Sequence, residues 1–229
     1  MQNMSESDTE IKDGLSDSER VALEKHLQEK MLELNSVKNV TPLALARMQL
    51  DIAEILVALE RKQEAWSLAR EAFNITLKNE SWQDAVEACN VLYQTEQTES
   101  IAVLGMGVWL AVSFPVDPEL TLAMLLHIVD ETPNNSDGAA LAAVTARYVI
   151  DLRAEDEHHA SQGFLADNLI ARVAERHSNV RDQAALNKWM DRLELRDPQV
   201  FLPRLSQVVD VIVGEAWWFD RDELRNKLE

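Results

Sequence analysis

IAVLGMGVWLAVSFPV, residues Ile101 to Val116, runs for sixteen positions without a charge in a chain of which 27% is charged. A segment apolar on every side either spans a membrane or is enclosed by other helices. At 1.5 Å per residue it covers roughly 24 Å, short of the ~30 Å hydrocarbon core. Pro115 and then Asp117-Pro118 stop its extension, and no Lys or Arg flanks it to anchor a span. The stretch therefore reads as a buried helix, the second of a hairpin, around which an all-α fold is arranged. Gly105 and Gly107 give it small profiles where neighbouring helices approach, and Trp109 fills space between them.

Working outward, helix starts are marked by capping chemistry. Ser16-Asp17-Ser18-Glu19 is a capping box, after which Val21, Leu23, Leu27, Met31 and Leu34 follow a helical period to about Lys38. Thr41-Pro42, Asp117-Pro118 and Asp197-Pro198 each set a capping residue before a proline at the first helical position, where proline loses no hydrogen bond. Softer starts lie near Ser81 and Glu155. If each of these five opens a helical hairpin, the pairs recur every 37 to 42 residues or so, the range of helix-pair repeats. Further helices are expected over 119–130, 139–152, 156–177, 182–195 and 200–213, with Thr132 to Gly138 a loop. No hairpin dipeptide sits between alternating runs, so strands are not expected.

The first hairpin, ARMQLDIAEILVALERKQEAWSLAREAFNITL from Ala46 to Leu77, carries Ala53, then Ala65 twelve residues on and Ala72 seven further. Small residues there let two helices pack closely, with Ile52, Leu56, Ala69 and Phe73 between them. This pattern resembles a tetratricopeptide unit, and Trp82, Ala85 and Cys89 begin a second, degenerate one, so the likeness covers about residues 46–92. It departs from the family at the turn, where Glu60 replaces the usual glycine, and at Leu77, where the family has proline. The resemblance implies antiparallel hairpins stacked as a right-handed solenoid or a compact array of ten to eleven helices. It also implies a non-enzymatic scaffold or adaptor that takes a protein or peptide segment. We expect a disordered acidic N-terminus over 1–15 and a single helical domain over 16–229.

Forty acidic residues against twenty-two basic ones give a net charge of −18, and every third of the chain is negative. Without a basic patch, nucleic acid and anionic membranes are unsuitable partners, whereas basic partners or simple solubility suit the surface; a protein or peptide segment, or another copy of the chain, is the partner expected. Cys89 is the single cysteine, on the apolar face of WQDAVEACNVLY with no cation beside it, and reads as a small buried hydrophobe. The N-terminus has no apolar leader-like run, which leads us to expect a cytoplasmic protein.

Three groups of residues are chemical candidates. Glu155-Asp156-Glu157-His158-His159 contains Glu-x-x-His, the half-motif by which carboxylate-bridged metal bundles present two ligands from one helix face. With His127, flanked by apolar residues in AMLLHIVDE, Glu155 and His158 make the alternative reading, a metal-binding bundle with redox chemistry. No second Glu-x-x-His is present, an acidic helix start explains the run as well, and no cofactor is expected. The terminal run from Glu215 to Leu224 has Asp220 as an N-cap with Phe219 and Leu224 as a hydrophobic staple. Adjacent Trp217 and Trp218 rarely face the same core, so with Phe219 they are the candidate partner contacts, or else the cap on an exposed helix end. Glycine-rich phosphate loops, paired cysteines and a Gly-x-Ser-x-Gly elbow are all missing, so nothing points to an enzyme.

Overall fold

A computed structural model describes residues 15–226, so the expected disordered N-terminus lies outside the described residues except for Leu15. Among these residues there are eleven helices and no strand. They are α1 (Asp17–Ser36), α2 (Pro42–Ala58), α3 (Lys62–Lys78), α4 (Trp82–Gln94), α5 (Ser100–Ser113), α6 (Pro118–Glu131), α7 (Asp137–Arg153), α8 (Asp156–Ser178), α9 (Gln183–Arg192), α10 (Pro198–Val213) and α11 (Arg221–Arg225). None is long and apolar enough to cross a membrane.

The caps are made as the residues dictate. Ser16 and Glu19 close a reciprocal box. Thr41 accepts from Ala44 N, Asp117 from Glu119 N and Leu120 N, and Asp197 from Gln199 N, each ahead of its proline. Ser81 and Glu155 occupy cap positions but make no side-chain cap bond.

Helix ends carry a feature that sequence patterns hide. Glu60, Glu80, Glu96 and Glu194 all have positive φ, between 53° and 60°. At Glu60, Glu80 and Glu194 the next residue's N–H reaches back to a carbonyl five positions earlier, as in Leu195 N to Met190 O at 3.0 Å. This is the left-handed helix cap normally built on glycine, and an L side chain there costs about 1–2 kcal/mol. Replacing the exposed Glu194 by glycine should therefore raise stability by about 0.5–1 kcal/mol after the added freedom of the unfolded chain is subtracted. A urea midpoint at or below that of the parent would show that the Glu194 side chain contributes more than its backbone costs.

The pairs α2–α3, α4–α5 and α6–α7 pack as hairpins, and α4, α6 and α8 each also rest on the helix before them. Ala46, Ala53, Ala65, Ala69 and Ala72 are fully buried in the first pair, where their size sets the helix separation. The first helices of successive pairs touch: α2 on α4, α4 on α6, α6 on α8. No extended contact joins α3 to α5 or α5 to α7, so the second helices splay.

The C-terminal region fills those gaps, and here the fifth expected hairpin is corrected. α10 turns back between α5 and α7 instead of pairing with α11. Phe201 meets Tyr148 edge-on at 5.9 Å, and Ile212 and Val213 lie on Gly105, where a Cβ would come within 2.5 Å of Val213 Cγ2. Gly214, at φ 58°, then sends the chain toward α3.

α5 is consequently enclosed by α4, α6 and α10, and its residues from Val103 to Ala111 are all buried. Gly107 faces the other way from Gly105: a Cβ there would lie 2.6 Å from Cys89 Cβ on α4 and 2.5 Å from Met124 Cε on α6. The methionine tip can yield, but Cys89 Cβ moves only with its helix. Gly107→Ala gains about 1 kcal/mol of helix propensity yet should be destabilising overall, since overpacking costs about 1–3 kcal/mol. Chemical denaturation measures the sign directly; a stabilised variant would mean α4 can retreat freely.

Candidate interaction surface

The row of first helices is cross-linked by polar side chains. On α2, Arg47 Nε donates to Asp51 at 3.0 Å, while its Nη1 reaches Asp84 at 3.4 Å and also Glu87 on α4. Lys30 on α1 joins the same Asp51 at 3.3 Å. Glu54 lies in this field with no hydrogen bond or ion pair; desolvation, and then Glu87 and Asp51, push its carboxyl above its ordinary value against the pull of Arg47. Four carboxylates therefore surround two cations. Gln83 on α4 accepts from the Asp117 backbone N–H at 3.0 Å, tying α4 to the start of α6.

Between α4 and α6 the links are hydrogen bonds and not ion pairs. His127 Nε2 donates to Asn90 Oδ1 at 3.0 Å, its ring lies 4.5 Å from that of Tyr93, and the Tyr93 hydroxyl donates to Glu131 at 2.6 Å. Partial burial lowers the His127 pKa despite Asp130 and Glu131 nearby. Its folded-state value thus lies below the unfolded value of about 6.5, so its contribution is complete above that pH and is lost as pH falls through it. We expect the parent to lose more stability than His127→Gln between about pH 8 and about pH 5. Parallel pH profiles would refute the assignment of that loss to His127.

Toward α8 the row becomes apolar. A groove of about 310 Å³ between α6 and α8 is lined by Leu122, Leu126, Leu165 and Leu169, with Asn168 and Arg172 also contributing. Leu165 is 56% exposed and its neighbour Phe164 65%. A second groove, about 810 Å³, lies between α1 and α3 along Leu27, Met31, Leu32 and Leu68. Its lining also holds a charged cluster in which Arg61 pairs with Glu64 at 2.7 Å and Glu24 at 3.8 Å.

Of the candidate metal residues, Glu155 and His158 come together and His127 stands apart. Glu155, Glu157 and His158 hold donor atoms within 4.8 Å of one another, all exposed at the start of α8. His127 is not among them: it sits on α6, committed to Asn90, because its helix position aims it at α4 and not at α8. Met106, Trp109 and Met124 pack into the core; Met124 covers Gly107 and Trp109 meets Phe114, Trp217 and Phe219. Burial also pushes the Cys89 thiol well above its ordinary range, against the small opposing effect of Arg70, so it is not a nucleophile at neutral pH.

Asp137, His177 and Ser178 do come together. His177 Nε2 donates to Asp137 Oδ1 at 3.2 Å, and Nδ1 lies 2.7 Å from Ser178 Oγ. This is not a nucleophilic triad. Nδ1 also accepts from Trp189 Nε1 at 3.2 Å, and Arg192 donates to Ser178 Oγ at 2.8 Å. Ser178 ends α8, where carbonyls rather than N–H groups face outward, so the helix end offers no backbone oxyanion hole. The group is a cross-link of α7, α8 and α9.

Trp217, Trp218 and Phe219 are half-buried against the splayed second helices. Trp218 meets Trp66 at 6.1 Å and Phe73 at 5.5 Å on α3, with the Arg70 guanidinium 3.7 Å over its ring. Trp217 turns to Trp109 on α5 at 6.2 Å, covered by Arg221 at 4.1 Å. Adjacent tryptophans thus do face different directions, each packing against a different second helix while staying partly exposed. In comparisons with known proteins, no family model, no curated protein and no solved structure matches this chain.

Proposed function

We propose that the protein is a non-enzymatic scaffold or adaptor, a tetratricopeptide-like helical array that receives a segment of another protein on the row formed by α2, α4, α6 and α8. The observation that carries this reading is an asymmetry of covering. The chain fills the gaps between its second helices with α10 and the tryptophan pair, whereas the first helices are met, beyond their neighbours in the array, only at the two ends, by α1 on α2 and α9 on α8. A row left open, with a leucine-lined groove at one end, is the surface a partner would use. The α1–α3 groove is wider, but the helix forming its wall has extended contact with α2 alone, and the Arg61 cluster adds charge to its lining.

The test is site-specific photo-crosslinking in the cell of origin. A photoreactive residue at Ala123, between Leu122 and His127 on α6, should trap a partner; one at Val211, 83% exposed on α10, should not. Trapping at Val211 alone would overturn the proposal.

A further inference from the structure

We infer that the occupant of the open row is a basic, leucine-bearing segment, seated with apolar side chains in the α6–α8 groove and cationic ones toward the carboxylates of α2 and α4. This rests on the reading of α2, α4, α6 and α8 as the binding row, and it adds the chemistry of what binds. At one end, Leu122, Leu126, Leu165 and Leu169 form a concave apolar wall that suits an apolar side chain, with Asn168 and Arg172 completing the lining. At the other, Asp51, Glu54, Asp84 and Glu87 outnumber Arg47 and Lys30. Arg47 is shared among three of those carboxylates and leaves Glu54 unpaired. Asp130 and Glu131 continue the negative charge beside His127, Asp130 being partly offset by Arg172 at 3.9 Å, and burial, which lowers the His127 pKa, works against a further cation there. An acidic partner would face this field and the −18 of the whole chain; a basic one is drawn by both.

The spacing sets the length of the occupant. Two steps between packed helices, from α2–α4 to α6–α8, amount to roughly 20 Å, the length of about 14 helical residues. A 14-residue amphipathic leucine–lysine peptide is therefore a direct probe, with a leucine–glutamate peptide of the same pattern as its control.

Titrated by fluorescence anisotropy at moderate salt against the full-length protein, the leucine–lysine peptide should bind in the micromolar range and the leucine–glutamate peptide should not. Leu165→Asp, at an exposed position that should not disturb folding, should weaken binding at least about tenfold. The sign is diagnostic: nonspecific attraction to an acidic protein would be kept or strengthened by an added carboxylate, whereas groove binding is lost. Leu32→Asp, the same change at a 70% exposed position in the α1–α3 groove, should leave binding unchanged. Glu54→Lys should weaken binding and flatten its salt dependence. Equal binding of both peptides, or loss at Leu32→Asp with none at Leu165→Asp, overturns the inference. So does a partner trapped at Ala123 when the leucine–lysine peptide fails to bind, an outcome that leaves the binding row standing and removes only the chemistry assigned to its occupant.

Discussion

Arg153→Ala should lose about 3 kcal/mol of stability, although Arg153 is neither in the core nor in an ion pair. Its guanidinium closes the C-terminus of α5: Nη1 donates to Ala111 O at 2.7 Å and Val116 O at 3.3 Å, and Nη2 to Val112 O at 2.7 Å. Ala111 O and Val112 O are carbonyls that the end of α5 leaves without intrahelical partners, and Val116 O belongs to the segment that follows it. A hydrogen bond to a charged group contributes about 1.5–3 kcal/mol, and the three share one donor, so about 3 kcal/mol for the set is a restrained figure. Partial burial lowers the arginine pKa, yet an arginine remains charged at any accessible pH, so the charge also complements the negative end of the helix dipole. Arg153→Lys should recover less than half of the loss, because an ammonium cannot present a planar fork to carbonyls on both sides. Equilibrium urea unfolding of the two variants tests this. If alanine and lysine proved equally mild, water would have to be capping α5 in their place.

That arginine shows where sequence reading stops. The Ile101–Val116 stretch was legible as an enclosed helix because its composition, length and stop signal are local, and the caps at Thr41, Asp117, Asp197 and Asp220 were legible for the same reason. Gly105 and Gly107 could be read as points of close approach, but not what approaches: Val213 on one side and Cys89 with Met124 on the other. No cation flanks the stretch in sequence, and the one that serves it comes from the far end of α7. Likewise Asp197-Pro198 announces a helix but not its destination, so α10 reads as the start of another hairpin when it is the wedge between α5 and α7. The left-handed glutamates are invisible because patterns look for glycine there. Of the candidate surface, His127 was noticed from its apolar neighbours, whereas the leucine groove draws on two helices some forty residues apart and no window contains it.

Changing Trp217 and Trp218 together to alanine should destabilise the protein by about 4 kcal/mol, counting each half-buried ring at about half of a fully buried aromatic. The loss has two parts. Trp218 carries α3 through Trp66, Phe73 and the Arg70 stack, and Trp217 carries α5 through Trp109 and the Arg221 stack. Removing both therefore opens the seam between two helices that have no extended contact of their own. The effects should be less than additive, because Phe219 touches both Phe73 and Trp109 and would be loosened by either single change. Arg70 and Arg221 would keep their charge but lose the ring faces that hold them, so stability should become more sensitive to Arg70→Ala in the parent than in the double variant. At a temperature where the double variant is still folded, binding of the leucine–lysine peptide should match the parent, since the pair lies against α3 and α5 and not against the open row. The opposite pattern, an unchanged unfolding midpoint with a partner lost, would identify the two tryptophans as a contact surface and place the functional end of the molecule on the face that the chain covers for itself.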